Sequence, residues 1–149
     1  NFVLDLVGFF EDEYKEQVKE LEKHSIAHFY GFQSDPRPFY IEADCVVLPS
    51  YHEGMSNVIL EAAATGRPVI ASNIPGCRES VENGKSGLLV EVKNKEMLYD
   101  AMKEMLHCSR EEREQMGQAG REKMEREFRK EVVVEKTVQS LREDEKRDF

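Results

Sequence analysis

The sequence predicts an α/β fold: a Rossmann-like parallel sheet with helices on both faces, followed by a C-terminal helical extension. Short apolar runs alternate with segments of helical spacing as far as residue 90, and the remainder is helical in pattern and highly charged. Strands that alternate with helices indicate a parallel sheet. The chain of 149 residues is the size of one domain, and 40% hydrophobic residues suffice for one core.

Five apolar runs are predicted as strands. The first reads as a buried strand that ends in a turn glycine, and the third has the unbroken apolar character expected when both sheet faces are covered. The runs are Phe2–Gly8, Ile26–Tyr30, Cys45–Pro49, Arg67–Ala71 and Leu88–Val90.

Helical spacing and capping residues define the predicted helices. Asp35 and Asn94 are expected N-caps, with Pro36 at the first helical position after Asp35. Ser109 and Glu112 fit a capping box. The predicted helices are Glu11–Lys23, a short one from Asp35, Ser56–Gly66, a short one over Arg78–Glu82, Lys95–Leu106, one from Ser109, and Val132–Leu141.

Composition excludes several classes of function. The formal net charge of −9 argues against a nucleic-acid partner, which requires a basic face. Cys45, Cys77 and Cys108 form no Cys-x-x-Cys pair, and the four histidines lack zinc spacing, so we expect buried or half-buried thiols in a reducing compartment and no metal site. No stretch is long and apolar enough to span a membrane.

The most informative segment joins the third predicted strand to the helix that follows. The strand ends at Pro49, a loop with Gly54 allows a ligand close to the backbone, and Ser56 begins the helix. The first amides of a helix have no partners within it, and the helix dipole makes that end positive. Ligands of parallel sheets bind at the carboxyl ends of strands. We therefore predict an anion site here, most naturally for a phosphate.

Two carboxylates flank this anion site. Glu53 lies in the loop, and Glu61 lies in the helix on the face that it shares with Asn57. A carboxylate accepts hydrogen bonds from the vicinal hydroxyls of a ribose or a hexose. We interpret the pair as holding the two sugars of a sugar nucleotide, one on each side of its diphosphate. The small residues 62–64 are expected to let the helix pack close to the sheet.

These residues resemble the signature of glycosyltransferase family 4, the retaining enzymes built from two Rossmann-like domains in the GT-B fold. Glu53 and Glu61 match the spacing of the family's Glu-x7-Glu motif. The Pro-Ser before the motif, Glu-Gly at its start, Glu-Ala at its end and the Gly-x-Pro-Val-Ile-Ala after it match as well. Gly76–Val81 and Gly84–Val90 are similar to the family's next segment. The resemblance covers nearly the whole chain.

The resemblance implies a role for each matched residue. Glu53 corresponds to the catalytic glutamate, which contacts the transferred sugar, and Glu61 to the glutamate that binds the ribose. The sugar and phosphates of the donor meet the segment between them, and the base lies beside three further positions. The residues implied for the donor are Gly54, Met55, Ser56 and Asn57 for sugar and phosphates, and Gly31, Phe32 and Pro49 for the base. The donor is a nucleotide-diphosphate sugar, and no metal is required.

The chain also departs from the family. The family's C-terminal domain begins with a strand and a Gly-Arg…Lys-Gly segment whose basic residues clamp the diphosphate, and Asn1 starts after that point. Many relatives have Gly-x-Gly where this chain has Gly8-Phe-Phe-Glu11. We therefore expect residues 1–149 to be the donor-binding domain of a longer enzyme, without its first strand and its N-terminal acceptor domain, and inactive alone.

The resemblance further implies a cytoplasmic role in bacterial surface-polysaccharide assembly. The acceptor is then a glycan or a lipid-linked, membrane-associated sugar, and the full-length protein rests on the inner face of the membrane. Two other classes remain open. One is a non-catalytic Rossmann-type module that binds a nucleotide or a protein. The other is a sugar-nucleotide epimerase, which shares the two-domain architecture but fits the Glu-x7-Glu run less well.

Overall fold

The computed structural model describes residues 2–9 and 12–145, and these fold into two compact units, Asn1–Glu42 and Ala43–Phe149. The first unit contains a sheet of two strands, and the second contains a sheet of three. All strand pairs are parallel. This confirms the predicted α/β class with its parallel strands and C-terminal helices.

The first unit is built on strands β1 (Leu4–Val7) and β2 (Ala27–Gly31). A 3₁₀ turn, Asp12–Tyr14, leads into helix α1 (Lys15–Lys23), which packs on β2. Helix α2 (Arg37–Glu42) ends the unit. Residue 11, the predicted start of the first helix, lies outside the described residues.

The start of α2 differs slightly from the prediction. The Asp35 carboxylate accepts a hydrogen bond from the Arg37 N–H at 3.1 Å, in keeping with its predicted capping role. Pro36 comes one position before the helix and is not its first residue, and its carbonyl accepts from the Tyr40 N–H at 3.3 Å. The proline therefore supplies the first acceptor of the helix.

The prediction that β1 is a buried strand is wrong. Leu4 and Leu6 are half-buried, whereas Asp5 and Val7 are exposed. Successive side chains of a strand point to opposite faces, so a strand with only one covered face alternates in this way. The apolar run indicated a strand correctly but did not show how many faces are covered.

The second unit contains strands β3 (Val46–Leu48), β4 (Val69–Ser72) and β5 (Gly87–Val90), in the order β3-β4-β5. Helix α3 (Asn57–Ala64) connects β3 to β4, and helix α4 (Lys95–His107) follows β5. All four residues of the central strand β4 are buried. The three strands thus match the predicted ones to within a few residues at each end.

Both faces of this sheet are covered. Ile70 of β4 and Val90 of β5 pack against Ala101 and Met105 of α4. Val69 and Ala71 alternate with Ile70 along β4, so they point to the opposite face, and they are also fully buried. Helix α3 packs on β3 and β4. The predicted arrangement of helices on both faces therefore holds for this unit.

Two long helices follow, α5 (Arg110–Glu127) and α6 (Lys130–Glu145). The predicted caps are confirmed. Asn94 accepts from the Met97 N–H at 3.0 Å, and Ser109 and Glu112 form both bonds of a capping box. Helix α6 extends beyond its predicted range of 132–141. Among the described residues, no helix is long and apolar enough to cross a membrane.

The short helix predicted at Arg78–Glu82 is wrong, because residues 75–80 form successive turns. Gly76 has a left-handed backbone with φ of 87°, which interrupts helical geometry. Its N–H donates to the Glu79 carboxylate at 2.7 Å and not to a carbonyl of a preceding turn. One helix-type bond forms, from the Arg78 N–H to the Ile74 carbonyl at 3.1 Å, but the Ser80 N–H bonds to the Cys77 carbonyl at 3.0 Å and the helical pattern does not continue.

Helices α3 and α5 pack closely through small residues. A Cβ atom at Gly117 of α5 would overlap the carbonyl oxygen of Gly66, and one at Gly120 would lie 3.5 Å from the Cβ of Ala63. Ala62 and Ala63 are buried, and Ala64 is exposed. The expectation that these alanines serve packing on the sheet is therefore incomplete, since Ala63 also serves the contact between the two helices.

This contact predicts opposite outcomes for two similar substitutions. Gly117→Ala should lower the free energy of unfolding by up to about 2 kcal/mol, because overpacking costs roughly 1–3 kcal/mol, of which roughly 1 kcal/mol is offset by the gain in helix propensity. Gly120→Ala meets only ordinary contacts, so stability should stay level or rise by up to about 1 kcal/mol. Urea denaturation followed by circular dichroism measures both. Equal effects would contradict the close approach at Gly117.

Candidate functional site

The candidate site lies at the carboxyl ends of β3 and β4, the edge at which ligands bind in open parallel sheets. Residues 49–56 connect the end of β3 at Leu48 to helix α3, and residues 73–80 follow the end of β4 at Ser72. Because β3 and β4 are parallel neighbours, both segments emerge at the same edge. Their backbones touch each other through the Ser56 N–H, which donates to the Gly76 carbonyl at 3.1 Å.

Glu53 is half-buried in the loop after β3. The Ser50 hydroxyl donates a 2.7 Å hydrogen bond to its Oε1, which restricts the orientation of the carboxylate. Burial raises the pKa of the nearby Cys77 thiol, and the negative charges of Glu53 and Glu79 raise that pKa further. Ionisation of Cys77 is therefore disfavoured, and the thiol acts as a small buried packing group beside Glu53.

Gly54 and Met55 form the outer part of this loop. A Cβ atom at Gly54 would have no described atom within 4 Å, so this side of the loop faces open space. Met55 is half exposed, and its sulfur accepts from the hydroxyl of Ser80 at 3.5 Å. The loop thus presents an open backbone surface that is fixed from behind by the segment after β4.

Ser56 occupies the predicted N-cap position of α3, with an extended backbone, and is 2% exposed. Its hydroxyl makes no capping bond to the helix, which differs from the usual role of an N-cap serine. The start of α3 therefore carries no side-chain cap within the described structure. An uncapped helix start retains amide groups that can donate to an anion.

Asn57 and Glu61 both lie on the exposed side of α3, one helical turn apart, as predicted. The opposite side of the helix is buried through Ile59 and Ala62. The structure thus brings Glu53–Asn57 together in one loop and helix start, with Glu61 one turn further along the same helix. Pro49, predicted for the base site, is exposed at the start of the loop.

The other residues predicted for the base site lie in the first unit. Gly31 ends β2 with φ of 66°, and its carbonyl accepts from the Gly8 N–H at 2.9 Å. Phe32 is 62% exposed and stacks on Phe9, with ring centroids 5.0 Å apart and planes 11° from parallel. Phe9 was missed as a candidate, although its position in the loop after β1 was a usable signal.

Lys93 was also missed as part of this edge. Its ammonium lies 5.6 Å from the centroid of the Tyr51 ring, within the range of a cation–π interaction. Tyr51 follows β3 and Lys93 follows β5, so the pair spans the carboxyl edge of the three-stranded sheet. The signal in the sequence was the position of each residue just after a strand.

Within residues 2–9 and 12–145, no three His, Cys, Asp or Glu side chains group closely enough to hold a metal ion.

A parallel sheet with helices on both faces and a loop-to-helix segment at its carboxyl edge places this chain in the α/β class, whose ligands bind at that edge. Comparison with known families is more specific. The model of the family Glycosyl transferases group 1 matches residues 1–123, and the chain belongs to this family.

A similar curated protein supports the assignment. The lipopolysaccharide core biosynthesis glycosyltransferase LpsE of Rhizobium meliloti is 31% identical over 113 residues, which is 76% of this chain and 33% of LpsE. The chain thus spans about a third of the length of this relative, and less of several others.

Solved structures show the same fold. Sucrose-phosphate synthase from Thermosynechococcus elongatus matches with a TM-score of 0.80 and 29% identity over 94% of this chain and 38% of that one. Anabaena HepE, solved in complex with UDP-glucose, matches with a TM-score of 0.78 and 21% identity over 95% of this chain and 41% of HepE. At that identity the likeness to HepE concerns the fold alone.

Proposed function

We propose that this chain is the donor-binding domain of a retaining glycosyltransferase of the family 4 type. It binds a nucleotide-diphosphate sugar, from which the sugar passes to a glycan or a lipid-linked acceptor. The observation that carries this proposal is the loop Glu53–Asn57 at the carboxyl end of β3, in a chain that belongs to the glycosyltransferase family.

The donor diphosphate is assigned to the start of α3. The helix dipole places about half a positive charge there, and Ser56 leaves the first amides without a side-chain cap. The leaving group of the reaction is a nucleoside diphosphate, whose negative charge grows as the bond to the sugar breaks. Preorganised amides at that point stabilise the transition state more than the ground state.

Glu53 is assigned to the transferred sugar. Its carboxylate is oriented by Ser50, in the loop directly before the amides assigned to the diphosphate. The transition state of glycosyl transfer has oxocarbenium character, with positive charge at the anomeric carbon. A contact from this carboxylate to the sugar therefore changes in strength as the reaction proceeds.

Gly54 supports the same assignment. Its backbone φ is not in the left-handed region, and no described atom lies within 4 Å of the Cβ position. Neither the backbone nor the neighbouring side chains explain a glycine there. A ligand that approaches the open side of the loop does explain it, because a side chain would occupy the same space.

The remaining donor contacts are assigned from the resemblance to glycosyltransferase family 4. Glu61 accepts hydrogen bonds from the ribose hydroxyls, and its exposed position on α3 leaves room for a sugar. Gly31, Phe32 and Pro49 are assigned to the base. No metal is required in this proposal, since the helix start and the basic groups of the whole enzyme balance the diphosphate.

The acceptor side is assigned to the rest of a longer protein. The chain covers 33% of LpsE, which leaves ample length for an acceptor domain in proteins of that kind. LpsE is named for lipopolysaccharide core biosynthesis. We accordingly assign this protein to bacterial surface-polysaccharide synthesis, at the cytoplasmic face of the membrane, with a membrane-associated acceptor.

Isothermal titration calorimetry with UDP-glucose, GDP-mannose, UDP, GDP and AMP tests donor binding directly. At least one of the two nucleotide-diphosphate sugars should bind. Glu61→Ala should weaken that binding by about tenfold or more, since a hydrogen bond to a charged group contributes roughly 1.5–3 kcal/mol. AMP should bind far more weakly, because it lacks the second phosphate and the sugar. Equal binding of all five ligands would instead favour a general nucleotide-binding module.

The two glutamates should differ in the kinetics of the whole enzyme. Glu61→Ala should mainly raise the donor KM, because the ribose does not react and its contacts are uniform through the reaction. Glu53→Ala should mainly lower kcat, by about 10-fold to 100-fold if roughly 1.5–3 kcal/mol of charged hydrogen bonding is lost. Steady-state rates at varied donor concentration separate these effects.

Glu104 offers a matched control for these two variants, as an exposed glutamate on helix α4 away from the loop. Glu104→Ala should retain wild-type kcat and KM. If Glu53→Ala and Glu61→Ala changed only KM, or matched this control, the assigned roles would be wrong.

The chain of 149 residues alone should show no transfer to any acceptor. Holding two substrates together supplies roughly 7–11 kcal/mol of the barrier in favourable cases, and this domain holds only the donor. Release of UDP or GDP from sugar nucleotides in the presence of glycan acceptors, followed by a coupled assay, measures turnover. Sustained transfer by the isolated chain would overturn the assignment of the acceptor site to another domain.

A further inference from the structure

We propose that Gly76 and Glu79 are positioning residues that hold the Glu53 loop in its working conformation. This inference rests on the proposed function of that loop. Neither residue is assigned to the substrate, since both act on the backbone behind the loop.

The first observation is the closeness of the two backbones. A Cβ atom at Gly76 would overlap the carbonyl oxygen of Gly54 and lie 2.9 Å from the carbonyl oxygen of Glu53. Because the overlapped atoms belong to the backbone, a side chain at position 76 cannot be accommodated by a change of rotamer. The absence of a side chain at Gly76 is therefore a requirement for the observed path of residues 53–54.

The second observation is the bond between the same segments. The Gly76 carbonyl accepts from the Ser56 N–H at 3.1 Å, so Gly76 touches the loop on both sides of Met55. Ser80 adds a contact from its buried hydroxyl to the Met55 sulfur at 3.5 Å. Four successive residues, 53–56, are thus supported by one turn.

The third observation explains how the turn keeps its shape. Gly76 has φ of 87°, and the Glu79 carboxylate accepts its N–H at 2.7 Å. The Cys77 N–H donates to the Ile74 carbonyl, and the Asn73 N–H donates to the Val90 carbonyl of β5. The turn is therefore fastened to the sheet at one end and bonded to the Glu79 side chain at the other.

The arrangement explains why Glu53 is held in place before a donor arrives. The inner side of the loop rests on Gly76, and the outer side at Gly54 is open for the ligand. A small displacement of a catalytic group costs rate even when its chemistry is unchanged, and about 1 Å costs roughly 100-fold. Moving the loop through Gly76 should therefore lower kcat, while the binding residues themselves remain present.

Gly76→Ala tests the proposal against a matched control. Gly84 has a similar left-handed backbone, with φ of 76°, but open space at its Cβ position. Gly84→Ala therefore carries the same backbone strain without pressing on the loop. In the chain itself, Gly76→Ala should speed amide hydrogen exchange of Ser56 by about tenfold, as expected when one hydrogen bond is lost. Gly84→Ala should leave the Ser56 exchange rate unchanged.

A second pair of variants covers the case in which Gly76→Ala fails to fold. Glu79 is exposed, so its substitution is tolerated by the core. Glu79→Ala removes the acceptor of the Gly76 N–H and should also speed Ser56 exchange, whereas Glu79→Gln keeps an acceptor oxygen and should restore the slow rate. In the whole enzyme, with UDP-glucose or GDP-mannose as donor, Gly76→Ala and Glu79→Ala should lower kcat more than they raise KM.

The outcomes separate this inference from the proposed function. If the wild-type enzyme binds no nucleotide-diphosphate sugar, the proposed function fails, but Ser56 exchange still reports whether the turn holds the loop. If donor binds and Ser56 exchange is the same in Gly76→Ala, Glu79→Ala and Gly84→Ala, the positioning role is overturned. Faster exchange with unchanged kcat would likewise overturn it.

Discussion

The parallel pairing of β3 with β4 is the constraint on which the candidate site depends. It places the loop after β3 and the turn after β4 at one edge of the sheet, where the Ser56 N–H meets the Gly76 carbonyl. The pairing is secured by burial, because every residue of β4 is inaccessible to solvent and its two faces pack against different helices. The buried strand β4 thus fixes the positions of the exposed segments at the edge of the sheet.

The two glycines of this contact serve opposite purposes. At Gly76 the protein itself excludes a side chain, because the carbonyl of Gly54 fills the space. At Gly54 no neighbouring residue of the described structure would clash with a side chain, because the Cβ position faces open space. One glycine is therefore explained by the fold and the other by the proposed ligand. Sequence alone cannot separate these two reasons, since both appear as a glycine in a loop.

The sequence predicted the α/β class, five strands, the caps at Asn94 and Ser109, and the positions of Glu53 in a loop and Glu61 on a helix. These predictions are confirmed because they depend on local patterns, namely apolar runs, helical spacing and capping residues. The predictions that failed depend on contacts between residues that the local sequence pattern does not show. The burial of β1 depends on how many faces are covered, and the turn at 75–80 depends on a left-handed Gly76 whose N–H is satisfied by Glu79. The Phe9–Phe32 stack likewise joins two strand ends that are distant in sequence.

The distribution of charge along the chain limits how the proposed site can bind a diphosphate. The segment after Cys108 carries nearly equal numbers of acidic and basic residues, so almost all of the net charge of −9 belongs to residues 1–108. An acidic domain that binds a diphosphate must rely on short-range donors, since charges beyond about 8 Å are largely screened at physiological ionic strength. The uncapped start of α3 is such a donor, and Lys93 supplies a cation near Tyr51 at the same edge. Under the proposed function the amides at the start of α3 orient the diphosphate, so donor binding depends on the geometry of the Glu53–Asn57 segment more than on the net charge of the domain.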